Sequence, residues 1–189
     1  MAEPATRRLS YSEYLDLERD TDMRHEFLDG AAWAMSSGTP RHSAIKSNLL
    51  GILFGALRGS PCRPYDSDLK VRVVDSGFAT YPDLTIICGP LEPHAEDRNA
   101  ATNPTVLIEV LSKHTEAWDR GGKFLEVRHI ATLRHYLLVS QDTRRVEHLE
   151  RQEAGAWRLT IHGPGELVTV DAIATEIAVN EIYERLPEP

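Results

Sequence analysis

Cysteine is scarce in this chain, long apolar runs are missing, and basic residues are outnumbered by acidic ones; each shortage narrows the class of protein it can be. Cys62 and Cys88 have neither C-x-x-C spacing nor a neighbouring histidine pair, so a structural zinc site is not expected. Spacing alone gives no ground for a disulfide either, and the plain expectation is two reduced, partly buried thiols. No stretch reaches the roughly 18 apolar residues of a membrane helix. The opening MAEPATRRLS has two arginines but no apolar segment behind them, so no signal peptide is expected and a soluble, cytoplasmic protein is the default. With 21 Lys and Arg against 29 Asp and Glu, the formal charge of -8 argues against holding nucleic acid by a general positive field. Any such contact must be local, and a carboxylate-lined cation site would itself add acidity.

Several catalytic signatures are absent too. Gly121-Gly122-Lys123 is not a phosphate-binding P-loop, because no glycine precedes it at the required spacing and Phe124 stands where Ser or Thr would hold magnesium. The eight histidines form no H-E-x-x-H, and Ser112 and Ser140 lack the G-x-S-x-G elbow.

What is present suits one domain spanning residues 1–189, with 1–8 expected to be flexible and a hydrophobic fraction of 41% sufficient for a real core. Ser10 and Glu13 have capping-box spacing for a helix over Leu9 to Glu18. Asp29-Gly30 predicts a two-residue hairpin turn inside HEFLDGAAWAMS. Ile45, Leu49, Ile52, Leu53, Ala56 and Leu57 recur at helical spacing from Pro40 to Arg58. LKVRVV alternates, DLTIIC begins at Asp83, and TVLIEVL is a nearly continuous apolar run that predicts a central strand. Thr115 is placed to cap a helix running to about Ile130, locally weakened by Gly121-Gly122. HYLLVS reads as a buried strand, RRVEHLER and AWRLTIHG as a hairpin around Glu153 to Gly155, and NEIYERL as a short helix capped by Asn180. The expected architecture is α/β, a mixed central sheet flanked by helices, with an N-terminal hairpin and C-terminal antiparallel strands.

The chemically informative residues are Asp83 and Glu109, each an acid on an otherwise apolar strand. Either alone has a structural reading, Asp83 as a turn cap and Glu109 as the partner of an arginine. An ionised carboxylate is costly to bury unpaired, however, and one shared divalent cation would serve both. Such an ion takes oxygen ligands, acidifies bound water and offsets charge on phosphoryl oxygens. Lys123 can supply an ammonium from the helix after Glu109, since the turn at Ser112 to Thr115 brings the chain back along the sheet. His42, at the start of the long helix, is placed either to meet a phosphate together with free backbone N–H groups or to stand as a plain N-terminal histidine.

Pro82-Asp83, Glu109 in IEVLS, and D-R-G-G-K at Asp119 to Lys123 resemble the PD-(D/E)XK nuclease superfamily, and more closely its Uma-two branch of restriction endonuclease-like proteins. The resemblance extends through RHEFLDG, TPRH, SDLKVRV, YPDLTI, VLIEVLS, AWDRGGKF and HYLLVSQD. It implies a restriction endonuclease-like α/β core in which Asp83 and Glu109 bind magnesium or manganese while a lysine positions the attacking water. The superfamily lysine stands two residues beyond the second acid, where this chain has Leu111; Lys123 matches the branch's helix lysine, with Lys113 as the nearest competitor. The resemblance also implies supporting roles for Glu26, beside the metal, and for Asp68. The family's acid after the DG turn is replaced here by Ala31.

These readings lead to a Mg2+- or Mn2+-dependent endonuclease acting on DNA, with Arg41, Lys46, Lys113, Arg120 and Arg128 as candidates to line a substrate groove. The superfamily resemblance implies a homodimer. The alternatives are a catalytically degenerate interaction module of a mobile-element or defence system, and hydrolysis of a small phosphoester.

Overall fold

Side-chain alternation and turn chemistry decide most of the elements. The structure is a computed structural model describing residues 8–35 and 38–186. The first half runs α1 (Tyr11–Asp20), β1 (His25–Leu28), β2 (Ala31–Ala34), α2 (Pro40–Ala56), β3 (Cys62–Asp66), β4 (Lys70–Arg72), β5 (Ala79–Thr80), β6 (Leu84–Cys88), β7 (Ala100–Ala101) and β8 (Val106–Leu111). Then follow α3 (Glu116–Trp118), a π-helical turn (Asp119–Lys123), α4 (Phe124–Val127), β9 (His135–Ser140), β10 (Val146–Arg151), β11 (Trp157–His162), β12 (Leu167–Val170), β13 (Thr175–Ala178) and α5 (Val179–Ile182). Of the leader expected to be flexible, residues 1–7 lie outside the described residues, as does Ser36 of the expected hairpin.

The strands form a six-stranded sheet ordered β11-β10-β9-β8-β6-β3, a five-stranded sheet ordered β2-β1-β5-β4-β7, and a β12-β13 hairpin. β8 runs parallel to β9 and antiparallel to β6, so the central sheet is mixed, as expected. On one of its faces Ile45, Leu49 and Leu53 of α2 pack against Ile86, Ile108, Val110 and Val139, together with Val168, Ile177 and Ile182 from the C-terminal hairpin and helix. On the other, Leu107, Leu111, Tyr136 and Leu138 meet Val127, Ile130 and Leu133, with Val71, Val73 and Phe78 from the five-stranded side. Alternation along β8 therefore turns Ile108 toward α2 and Glu109 toward the helical run that carries Lys123. The apolar face of α2 is the firmer anchor, where truncating a buried Leu costs about 2–5 kcal/mol.

The local signals for α1, the first hairpin and α2 are realised. Ser10 and Glu13 form the capping box of α1. Asp29 and Gly30 both adopt positive φ, 50° and 82°, as the tight hairpin turn requires. Thr39 caps α2 through His42 N–H, with Pro40 at the first helical turn.

Other expectations need correction. Cys62 and Cys88 are not reduced thiols but a disulfide, because β3 pairs antiparallel with β6 and sets the two residues directly opposite each other. The pairing was invisible in spacing, since β3, with Pro64 inside it, carries no strand signal; its place at the sheet edge tolerates the proline. Nor does LKVRVV alternate in burial: Lys70 and Arg72 are as buried as Val71 and Val73, because β4 lies between β5 and β7 with α1 nearby. Thr115 makes no side-chain cap and instead gives its N–H to Ser112 Oγ. Asn180 sits inside α5 and accepts from Gly165 N–H. β5 and β7 are too short to carry a period, and β12-β13 was not anticipated.

Candidate active site

Asp83 ends an extended segment where β6 begins. Leu84 lies opposite Ile108 in the antiparallel register, so the next residue outward, Asp83, falls beside Glu109. Its N–H donates to Glu109 Oε2 at 3.3 Å, and Val110 N–H donates to Asp83 Oδ2 at 2.8 Å. From α2, His42 Nε2 approaches Oδ2 at 3.1 Å and Lys46 Nζ approaches Oδ1 at 3.4 Å. Burial pushes the Asp83 carboxyl up, but His42, the Val110 amide and Lys46 outweigh it and hold the group below its ordinary value. Asp83 is therefore ionised at neutral pH.

Glu109 is in the opposite situation. Lys123 Nζ lies 2.9 Å from Glu109 Oε1, 2.9 Å from Glu26 Oε1 and 3.4 Å from Asp119 Oδ1. All four residues are buried, Lys123 to 3% exposure. Burial pushes Glu109 well above the carboxylate range; Lys123 opposes this, while Asp119 and Asp83 add to it. Its Oε1 faces the Lys123 ammonium, and its Oε2 accepts the Asp83 N–H. Burial likewise raises Asp119, against Lys123 and the Thr115 hydroxyl. Burial alone would lower Lys123, but Glu109, Glu26 and Asp119 outweigh it and hold the amine well above its usual value, as an ammonium. One ammonium thus faces three acids, with Asp83 next to them.

Glu26 is fully engaged. Its Oε1 accepts from Thr80 Oγ1 at 2.5 Å and pairs with Lys123, while Oε2 accepts the indole N–H groups of Trp33 at 3.1 Å and Trp118 at 2.8 Å. Burial pushes it up, yet the Lys123 charge and these donors outweigh burial and hold it below the ordinary value. With its lone pairs taken, Glu26 anchors Lys123. The π-helical turn brings Asp119 and Lys123 to the same side, four residues apart, and π-bulges are frequent at functional sites. Gly122 is required there, since a Cβ would lie 2.0 Å from the Trp118 ring.

These groups line a cavity of about 890 Å³, with Thr39, Arg41, Ser112, Lys113, Gln141 and Asp142 among its walls. Asp83, Glu109, Lys123, Glu26 and His42 are thus brought together. Asp68 is not: its exposed side chain pairs with Arg24 and lies outside the cavity lining, in a turn where Asp66 Oδ1 accepts its N–H. Lys113 is exposed at the cavity wall, and Leu111 is buried in the core. Of the basic residues expected along a groove, Arg41 and Lys113 line the cavity and Lys46 is drawn to Asp83, but Arg120 is tied to Glu147 and Glu116 outside the lining, and Arg128 also lies outside it. Asp119, Trp33 and Trp118 were not assigned to the site from sequence. The signals existed: Asp119 and Lys123 are an i,i+4 pair, and a two-residue turn at Asp29-Gly30 places Trp33 opposite Glu26.

Asp83 and Glu109 offer hard oxygen donors of the kind that hold magnesium or manganese. Among the described residues no group of three or more His, Cys, Asp or Glu side chains is arranged around one cation position. A magnesium ion held by one or two carboxylates with water completing its shell does not need one.

The family described as "Putative restriction endonuclease" matches residues 11–180. An uncharacterized protein of Synechocystis sp., slr1290, is 34% identical over 95% of this chain and 93% of its own length. A second from the same organism, sll1609, is 30% identical over 85% of this chain and 90% of its own. Among solved structures, one titled as a putative nuclease belonging to DUF820, from Anabaena variabilis, superposes with a TM-score of 0.76. It covers 93% of this chain and 97% of its own at 17% identity, and so shares the fold.

Proposed function

The chain belongs to the Uma-two family of restriction endonuclease-like proteins, and from that premise we propose that it is a Mg2+- or Mn2+-dependent endonuclease that hydrolyses phosphodiester bonds in DNA. The observation that carries the reading is the meeting of Asp83, Glu109 and the buried Lys123 ammonium along a cavity of about 890 Å³. The donor chemistry fits a divalent cation, because one ammonium facing three buried acids leaves positive charge wanting.

Asp83 and Glu109 would hold the cation, which when bound supplies an acidified water and charge to offset the phosphoryl oxygens. Lys123, held protonated and fixed by Glu26 and Asp119, acts as a donor that orients water and stabilises developing negative charge, not as a general base. His42 and Lys46 fix Asp83 in its ionised form. The presence of all three groups, Asp83 against Glu109 and Glu109 against Lys123, favours catalysis over a degenerate interaction module. A homodimer presenting two sites to two strands belongs to the same proposal, and sedimentation of the free protein tests it.

The test is calorimetric titration of magnesium and manganese into wild type and Asp83→Ala, followed by a nicking assay on supercoiled plasmid. Binding and nicking both lost in the variant support a metal nuclease centred on Asp83. Binding without nicking of any nucleic acid points to small phosphoesters or to a required partner, and no binding in the wild type points to an interaction module.

A further inference from the structure

Two tryptophans stand beside the buried acids, and fixing Glu26 does not by itself explain why indoles were placed there. Trp33 lies on the edge strand β2, half-buried, and Trp118 on the helical run, also half-buried; both line the cavity. Their rings meet at 5.5 Å and 85°, and Phe78 backs Trp118 at 6.0 Å and 76°. Glu26 Oε2 holds both indole N–H groups, so neither ring turns freely. Gly122 leaves the space that Trp118 occupies. The result is a rigid aromatic wall adjoining the Glu26–Lys123–Glu109 ion pairs.

The cavity itself limits what can use that wall. Its volume of about 890 Å³ is within the range of sites that enclose a small molecule. Glu109 and Lys123 lie at 4% and 3% exposure, so only a chain that enters the cavity reaches them. A duplex keeps its bases stacked inside and is held mainly by a broad positive face. This chain has a net charge of -8, with Arg41 and Lys113 the arginine and lysine of the cavity wall outside the buried cluster. An unpaired strand brings its own apolar recognition, because any base can stack on an aromatic plane.

Within the nuclease reading, on which this rests, we infer that the cavity takes unpaired nucleotides, with the Trp33 indole as the platform for a base next to the reacting phosphodiester and Trp118 as its backing. Trp33 is then a specificity-determining residue that favours single-stranded or locally opened nucleic acid over intact duplex.

The experiment uses the full chain and three probes: a short oligothymidylate, the same strand annealed to oligoadenylate, and an abasic strand of equal length. Binding is followed by tryptophan fluorescence with calcium present, in a Trp157→Phe background so that Trp33 and Trp118 report alone; cleavage is followed with magnesium or manganese. The expected result is quenching, with single-strand binding about 10-fold or more tighter than duplex and a weak abasic strand. Trp33→Leu should weaken oligothymidylate binding by about 5- to 100-fold, as base stacking predicts, without changing binding of the abasic strand. Trp33→Phe, which keeps a ring but lacks the indole N–H, should retain most of the affinity. Equal losses in the Phe and Leu variants would show that the indole serves only Glu26, and equal affinity for duplex would also overturn the inference. Cleavage of duplex by a Trp33→Leu variant at the wild-type rate would leave the nuclease reading standing without the stacking platform. Ring-dependent single-strand binding with no cleavage under either metal would do the reverse, and absence of both binding and cleavage would remove both.

Discussion

Two buried lysines in this protein are each surrounded by acids, and they are balanced differently. Lys70 Nζ lies 3.0 Å from Asp97 and 3.8 Å from Glu18, with the rings of Tyr14 and Tyr81 at 5.1 and 5.6 Å. Its acids have other donors: Glu18 accepts from His25 and Tyr81, and Asp97 from Tyr11 and the Asn99 amide. Burial pushes Asp97 up, but Lys70, Tyr11 and Asn99 outweigh it and hold it below the ordinary value. Around Lys123 the neutral side-chain donors gather on Glu26, and Glu109, deeply buried with Asp119 and Asp83 beside it, is driven up instead. The first cluster fastens α1 to the five-stranded sheet and is complete as it stands. The second lies along the cavity, and there the proposed cation would add the positive charge that opposes the upward shift of Glu109. A buried lysine among acids is thus not informative by itself; what sets the second cluster apart is Glu109, buried with Asp119 and Asp83 beside it on the cavity wall.

The largest effect that would test this contrast is on cleavage. Glu109→Ala should reduce the rate by about 100-fold or more while the chain remains folded, whereas Lys70→Met should leave the rate per folded molecule unchanged. An equal loss in both, measured on plasmid with folded fractions matched by circular dichroism, would erase the distinction.

Stability comes next. Lys123→Met strands buried acids and should cost on the order of 3–5 kcal/mol in denaturant titration at neutral pH, relieved as the pH falls and the acids protonate. Lys70→Met should cost less, since Glu18 and Asp97 keep neutral donors.

The two acids should then differ in sign. In chelator-treated protein, Glu109→Gln should raise the melting temperature and Asp97→Asn should lower it. The raised Glu109 binds a proton in the folded state where the unfolded chain has released it, so its penalty grows as the pH rises above the unfolded glutamate range near 4.3 and levels off above the folded value. The depressed Asp97 contributes stability fully above the unfolded aspartate range near 3.9 and loses it as the pH falls through the lower folded value. Parallel pH curves for the two variants would contradict the assignment.

A smaller acid response is expected from the other sheet face. His148, joined to His135 through ring nitrogens 2.8 Å apart, is pushed down to about 4 by burial and by His135 and His162. The unfolded imidazole takes its proton first, so stability should decline as the pH drops from about 6.5 toward 4, and His148→Gln should flatten that decline. Asp68→Asn, exposed and outside the cavity, should change stability by less than about 0.5 kcal/mol and cleavage not at all.

Much of the fold was legible where local chemistry is strong. The Ser10–Glu13 capping box, the Asp29-Gly30 turn, the apolar face of α2 and the run around Glu109 act through near neighbours, and the structure places each element accordingly. What was hidden lies in short or non-local pairings. β5 and β7 carry no period, and Cys62 meets Cys88 only because an edge strand pairs with β6. At the site, Asp83, Glu109, Lys123, Glu26 and His42 were named from the sequence and do meet. Asp68 was named on resemblance alone and points elsewhere.

The sequence by itself determined that two strand acids needed a cation or a donor, because carboxylates in apolar runs have no local partner and bare burial is prohibitive. It also determined the family, through motifs spread over most of the chain. Only the tertiary structure decided which donors arrived. The π-helical turn delivered Asp119 and Lys123 together, the hairpin register set Trp33 against Glu26, and α2 brought His42 and Lys46 to Asp83. The Asp119–Lys123 and Glu26–Trp33 pairs follow helical spacing and the hairpin turn, but Trp118 with Glu26, 92 positions apart, and His42 with Asp83 meet only through the packing of distant elements, which no local propensity encodes.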